Sequence, residues 1–313
     1  MSMDTYRLLR KEYPQLIAEG IIHQEVSLKE HCSFHIGGNA EVFCLPNTQK
    51  QLLELLKFCL MHNIPYFIIG KGSNLLISDK GIKGIVISTE GFNKITLGKR
   101  YLSASCGVTL KDLGNFACEN GLSGLEFCSG IPGSVGGAVF MNAGAYGKEI
   151  KDVLYSSRAI LADIEMLAVK NPVLYLKARE HNFSYRHSVF QERSLIHLSS
   201  WFCLKKDKPE KIRERLQELQ QKRQDKQPMD LPSAGSVFKR PEGFFTGKLI
   251  EDCGLKGFRI GDAAVSEKHC GFIVNLGSAT AQDVSRLIQH IQKTVYERYN
   301  VHLQTEIRMV GEI

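Results

Sequence analysis

Within residues 51–62 the apolar side chains Leu52, Leu55, Leu56 and Cys59 recur at three- and four-residue spacing, which predicts an amphipathic helix. The run 65–70 after it reads as a short buried strand, a β-α-β-like beginning. Beyond Gly70-Lys71-Gly72-Ser73-Asn74 the pattern changes to two short apolar runs, 75–77 and 85–87, with a turn at 79–81 between them. Strands, not a helix, are therefore expected after the glycines. A helix is expected over 109–120, stopped by Gly121, followed by a glycine-dense stretch, 130–147, and mostly strands over 154–204. Residues 209–227 form a charged, Gln-rich helical pattern with Ile212, Leu216 and Leu219 facing inward, closed by Pro228 and Pro232, and mark a domain boundary. The last helix, 280–299, carries Val284, Leu287, Ile288, Ile291 and Val295 on one face. Over 301–310 strict alternation puts Val301, Leu303, Thr305, Ile307 and Met309 on one side and Glu306 on the other.

At 313 residues, two or three domains sharing an interface are expected, and 43% hydrophobic with 23% charged residues describes a globular chain. No apolar run approaches membrane-spanning length, so no membrane partner is expected. The net charge of +7 suits an anionic ligand, yet the cations are scattered except over 205–226, which gives nucleic acid little support. Nine cysteines without a C-x-x-C pair, and no apolar signal region over 1–17, fit reduced thiols in a cytoplasm.

Three glycine-bearing segments could carry chemistry. Gly70-x-Gly72 follows a strand, but Leu75 replaces the third glycine of a dinucleotide fingerprint and no helix follows. A phosphate there would rest on the amides of the turn, helped by Ser73 and Asn74; taken alone, a tight turn between strands explains the segment better. Ser129-Gly130-Ile131-Pro132-Gly133-Ser134-Val135-Gly136-Gly137-Ala138 has so few side chains to pack that close approach of backbone to a ligand is a sufficient reason for it. It lacks the Gly-Lys-Ser/Thr ending of a Walker loop, and turns joining strands explain it equally well. Around Ser236 the sequence is Ala234-Gly235-Ser236-Val237-Phe238-Lys239-Arg240, which is no G-x-S-x-G elbow, and capping is the commoner task of such a serine. Arg186, in Tyr185-Arg186-His187-Ser188, would need an anionic partner if buried. His31 and His35 have no third ligand at metal-site spacing, and no metal is expected.

Taken in order, His31-Cys-Ser-Phe-His-Ile-Gly-Gly38, Ile69 to Leu75, Ser129 to Ala138 with Asn142-Ala-Gly-Ala-Tyr-Gly147, Tyr185 to Ser188, Ser233 to Pro241 and Glu306-Ile-Arg-Met-Val-Gly311 resemble the UDP-N-acetylenolpyruvoylglucosamine reductase family. The resemblance implies an α+β, three-domain FAD-binding fold of the vanillyl-alcohol-oxidase type with a C-terminal substrate-binding domain. Its parts would be 1–90 plus 304–313 and 91–206 for non-covalent FAD, and 207–303 for the UDP-sugar. It further implies NADPH as electron donor and a soluble monomer. Gly70, Lys71, Gly72, Ser73, Asn74 and Leu75, with 129–134 and Gly136, Gly137 and Ala138, match the FAD loops. Arg186, Ser236 and Glu306 match the catalytic positions: a cation for an enolate-like charge, a proton donor, and a holder of the substrate carboxylate. The span 147–185 is too short for the insertion that supplies a tyrosine over the UDP group in longer relatives. Asn142, Tyr185, Lys226, Lys239 and Arg240 are then the candidates for substrate contact. A same-fold FAD oxidase or dehydrogenase acting on another sugar or alcohol, and a nucleotide-sugar or nucleic-acid binding protein, are the competing readings.

Overall fold

A computed structural model describes residues 5–168 and 172–313. The chain separates into two compact units, one of residues 1–23, 42–71 and 84–222, the other of 24–41, 72–83 and 223–313.

In the first unit the periodicity over 51–62 becomes the helix Gln49–Met61, opened by a capping box between Thr48 and Gln51 and burying Leu52, Leu55, Leu56, Phe58 and Cys59. The chain then enters the strand Tyr66–Ile69, which pairs in parallel with residues 85–88 and ends at Gly70. A five-stranded antiparallel sheet follows, in the order Val173–Lys177, Leu154–Leu161, Leu195–Phe202, Leu102–Ser105, Ile95–Leu97. Three of these strands fall within 154–204, where mostly strands are expected; the described residues of that stretch also form the short helix Ile164–Ala168 and the 3-10 turns Ala178–His181 and Val189–Gln191, and 169–171 lie outside them. The helix Leu110–Glu119 begins at Thr109, whose hydroxyl accepts from the Asp112 amide, and Gly121 takes φ 63° just past its end. Pro209–Lys226 is helical as expected, but only Ile212 is fully buried. Leu216 and Leu219 are half-buried, because much of the grip on this helix is polar. Arg215 reaches Glu126 at 2.8 Å and Asp207 at 2.7 Å.

Two apolar cores fill this unit. One gathers Leu102, Leu113, Leu125, Val135, Val139, Phe190 and Phe202; the other gathers Leu9, Leu52, Leu55, Phe58, Ile85, Ile160 and Leu198. Burial pushes the thiols of Cys59, Cys106 and Cys128 up to about 12, so these cysteines pack as small apolar groups.

The second unit holds an antiparallel sheet in the order Ser233–Ser236, Phe272–Asn275, Ala263–Val265, Arg259–Ile260. The helix Ala281–Tyr299 buries Val284, Leu287, Ile288, Ile291 and Val295, as its spacing predicts. Its first amides are met by Thr280 and by the Asp79 carboxylate, which accepts from Ala281 N at 2.9 Å. Of the alternating run 301–310 only Arg308–Val310 is regular strand, pairing in parallel with Leu75–Ile77. Leu303 and Ile307 are buried, whereas Met309 is 42% exposed. Among the described residues no helix is long and apolar enough to cross a membrane.

A buried polar network sits in the five-stranded sheet, where Ser157 and Ser200 are directly opposed. Ser157 Oγ meets His181 Nε2 at 2.8 Å, and His181 Nδ1 lies 3.0 Å from the Lys177 carbonyl, which can only accept. His181 therefore carries its proton on Nδ1. His197 Nε2 meets Ser200 Oγ at 2.7 Å, while its buried Nδ1 has no partner among the described residues. Burial, and secondarily His181, pushes the His197 pKa from 6.5 down to about 3. The unfolded chain thus binds a proton that the folded one refuses. The contribution is fully present above pH 6.5 and is lost as the pH falls toward 3, at about 1.4 kcal/mol per pH unit. Urea unfolding should show lower stability at pH 5 than at pH 7, and His197→Leu should flatten that slope by about one proton. A variant with the wild-type slope would remove His197 as the source.

Candidate active site

In the first unit the two glycine segments meet. Gly70, at the end of its strand, lies so close to Ser134 that an added Cβ would stand 2.4 Å from the Ser134 hydroxyl. Ser134 is 2% exposed and caps the helix Val135–Met141, accepting from Gly137 N at 3.3 Å. This helix lies inside the glycine-dense stretch for which no helix is expected, and its two glycines oppose it by propensity. Packing overrides them: Val135, Ala138 and Val139 are buried, and Gly136 lies against Cys106, with 3.1 Å from an added Cβ to the Cys106 Cβ. The first amides of the helix already have protein acceptors, Val135 N to Val108 O and Gly136 N to Cys106 O, both at 2.8 Å. A phosphate would therefore meet the loop ahead of the helix, where Gly133 takes φ 145°, more than the helix end itself. The Gly70 backbone against the Ser134 hydroxyl, in two loops poor in side chains, fits the pyrophosphate of a dinucleotide such as FAD. Lys71, expected beside them, pairs with Glu90 at 3.0 Å with both side chains about a third exposed, so its charge is partly answered.

Arg186 sits at the tip of a tight hairpin in which Ser184 and His187 exchange both backbone hydrogen bonds at 3.2 Å. Its φ is 57°, a left-handed conformation that is uncommon for a residue other than glycine. The guanidinium lies 4.9 Å from the centre of the Tyr185 ring, and Tyr185 is 46% exposed. Asn142, expected at the nucleotide, is fully buried with φ 43° at the end of the Val135–Met141 helix. Its amide nitrogen donates to the Ser184 carbonyl at 3.0 Å and to Glu149 at 3.1 Å, and its oxygen accepts from Lys151 N at 3.1 Å. The Asn142 side chain is thus used within the protein, anchoring the hairpin that bears Arg186.

The second unit contains Ser236 and Glu306. Ser236 ends the strand Ser233–Ser236, opposite Phe272, after an irregularity at which Gly235 takes φ 79°. The next residue, Val237, accepts from Glu306 N at 2.7 Å, so the segments carrying the two side chains run side by side. Asn74 donates its side-chain amide to the Glu306 carbonyl at 3.1 Å, and its own carbonyl accepts from Arg308 N at 2.9 Å. The Glu306 backbone is held at its N–H and at its C=O. The Asn74 side-chain amide, expected beside a phosphate, makes this bond to Glu306, while Leu75 pairs with Arg308 in the parallel strand pair.

The segment around His31–Gly38 shows its purpose in the same unit. An added Cβ at Gly72, where φ is 57°, would stand 2.2 Å from the His31 carbonyl. Ser33 donates its hydroxyl to the Ser233 carbonyl at 2.7 Å and accepts from Ser233 N at 3.1 Å. Ser33 thus connects the Gly72 turn to the strand of Ser236 through its hydroxyl and its backbone, contacts that the order of the motifs does not reveal. Lys226 is exposed at the end of its helix and Lys239 is half-buried. Arg240 donates to the Phe244 carbonyl at 3.1 Å and stacks its guanidinium 3.9 Å over Phe245.

Comparison with known proteins joins these pieces. Residues 227–310 match the model of the UDP-N-acetylenolpyruvoylglucosamine reductase C-terminal domain, and residues 40–170 match an FAD binding domain. UDP-N-acetylenolpyruvoylglucosamine reductase of Caldanaerobacter subterraneus subsp. tengcongensis is 45% identical over 305 residues, covering 97% of this chain and 99% of that one. The protein of the same name from Clostridium perfringens strain SM101 is 45% identical over 309 residues, covering 99% of this chain and 98% of its own. The crystal structure of the Thermus caldophilus reductase superposes with a TM-score of 0.79 at 33% identity, covering 92% of this chain and 98% of that one. The chain belongs to the UDP-N-acetylenolpyruvoylglucosamine reductase family.

Proposed function

We infer that this chain reduces the enolpyruvyl group of UDP-N-acetylenolpyruvoylglucosamine with NADPH, through bound FAD, giving UDP-N-acetylmuramate for peptidoglycan precursor synthesis. Near-full-length likeness to the named reductases carries the reading, and the meeting of two bare glycine loops at Gly70 and Ser134 agrees with it. The enzyme works in the cytoplasm as a monomer, without nucleic-acid or membrane partners. Its working division is 1–90 with 304–313, 91–206, and 207–303.

The loops around 70–75 and 129–138 hold the pyrophosphate of FAD through backbone amides. When bound there, FAD would supply the redox chemistry that links hydride transfer from NADPH to reduction of the enolpyruvyl group at its β-carbon. Negative charge then develops at the α-carbon and its carboxylate. Arg186 stabilises that charge with a planar, permanently ionised fork, so it acts more on rate than on ground-state binding. Glu306 holds the substrate carboxylate, and it must carry or share a proton to do so, because two bare carboxylates repel. Ser236 gives its hydroxyl proton to the α-carbon; a hydroxyl is weakly acidic, and the transfer is possible because the α-carbanion is strongly basic. Tyr185, Lys226, Lys239 and Arg240 contact the UDP-sugar, and Asn142 serves the substrate through the Arg186 hairpin.

Visible spectra of the purified protein test this directly. Flavin bands should bleach with anaerobic NADPH and return when the UDP-enolpyruvyl sugar is added; bleaching without recovery on adding the sugar would keep the flavoenzyme and remove the substrate assignment. Ser236→Ala should keep NADPH-dependent bleaching and lose turnover by about 10²–10⁴-fold, and near-normal turnover would remove Ser236 from the mechanism. Arg186→Lys should lower kcat by about 10²-fold or more with a much smaller change in KM. An effect confined to KM would make Arg186 a binding residue only.

A further inference from the structure

The helix Val135–Met141 has the cofactor loop at one end and the Arg186 hairpin at the other. At its start, Ser134 fills the space beside Gly70. At its end, the Phe140 carbonyl accepts from Ser188 Oγ at 2.7 Å and from Gln191 Nε2 at 2.9 Å. The same Gln191 nitrogen lies 3.0 Å from the carbonyl of Arg186. An amide nitrogen has two N–H groups, so one side chain ties the helix end and the hairpin tip together. Such a tie matters at the tip, since Arg186 at φ 57° holds a left-handed conformation that an L-residue rarely adopts. The Ser184–His187 exchange closes the turn, and the Gln191 donor on the Arg186 carbonyl fixes the orientation of its tip against the helix.

We propose that Gln191 is a positioning residue for the reaction, fixing the Arg186 turn against the helix whose start forms the cofactor loop. The proposal rests on the reading of Arg186 as the charge-stabilising residue. It acts on the half-reaction in which charge develops on the sugar, and leaves hydride transfer from NADPH alone.

Gln191→Met keeps the length of the side chain and removes both donors. Rapid-mixing spectroscopy of the FAD-loaded variant should show flavin reduction by NADPH at close to the wild-type rate. Reoxidation by the UDP-enolpyruvyl sugar should be slower by about 10- to 100-fold, the range that a misplacement on the order of 1 Å can produce. In an Arg186→Ala background the same substitution should cause little further loss, since the two residues act as one unit. Losing both bonds also loosens the hairpin, so Gln191→Lys, which retains an N–H donor of similar reach, is the second variant and should recover most of the reoxidation rate. Wild-type reoxidation in Gln191→Met, an undiminished loss in the Arg186→Ala background, or no recovery in a fully flavin-loaded Gln191→Lys enzyme would each overturn the proposal. Wild-type reoxidation in Arg186→Ala alone would overturn the role of Arg186, and the proposal with it. A slow Arg186→Ala beside a normal Gln191→Met would leave that role standing and sink this inference alone.

Discussion

A serine hydroxyl stands where the side chain of residue 70 would begin, and much of the first unit is arranged around that fact. A Cβ at Gly70 would press on Ser134, which is nearly fully buried and supplies the cap of the Val135–Met141 helix. Displacing it would disturb the cap, then the helix, and then the Phe140 carbonyl that receives Ser188 and Gln191. The fit of the Gly70 backbone against the Ser134 hydroxyl therefore bears on the cofactor loop and, through the helix that Ser134 caps, on the hairpin of Arg186. Glycine at 70 is required by the neighbour it meets, since its φ is not among the positive values.

Side-chain amides make the joints that this arrangement needs. Asn142 and Gln191 do so in the first unit, and Asn74 and Asn275 in the second. Asn275, 2% exposed, donates to the Phe34 carbonyl at 3.2 Å and accepts from Gly277 N at 2.8 Å and Ala279 N at 3.0 Å. An amide offers two donors and an acceptor without a net charge, so it can bridge three backbone groups with none of the desolvation penalty of an ion. The same economy makes each one fragile, because losing it leaves buried backbone groups unpaired at about 1–3 kcal/mol apiece.

Helices were the legible part of this sequence, and the reason is physical. In Gln49–Met61, Leu110–Glu119 and Ala281–Tyr299 the buried face and the N-cap are both written locally, whereas Pro209–Lys226 is legible from its helix-favouring composition and bounding prolines. The helix Val135–Met141 was illegible because its two glycines argue against it and its support comes from Cys106 and Val108, about thirty residues earlier. The candidate site was legible as residue types and order, through resemblance, but not as contacts. Nothing near Asn142 or Asn74 in sequence tells that their amides answer Ser184 and Glu306, 42 and 232 positions away.

The net charge of +7 suggested an anionic ligand without saying where, and the structure gives a reason for that weakness. Several cations are engaged by the protein itself: Lys71 by Glu90, Arg215 by Glu126 and Asp207, Arg240 by the Phe245 ring. A count of lysines and arginines cannot separate these from a cation set for chemistry. Backbone conformation does better, since a non-glycine residue at φ 57° persists where its surroundings over-determine it. At Arg186 the surroundings do so twice, through the Ser184–His187 exchange and through the Gln191 amide on its carbonyl. Strain held in place by dedicated hydrogen bonds, more than charge, distinguishes Arg186 from the other arginines of the chain.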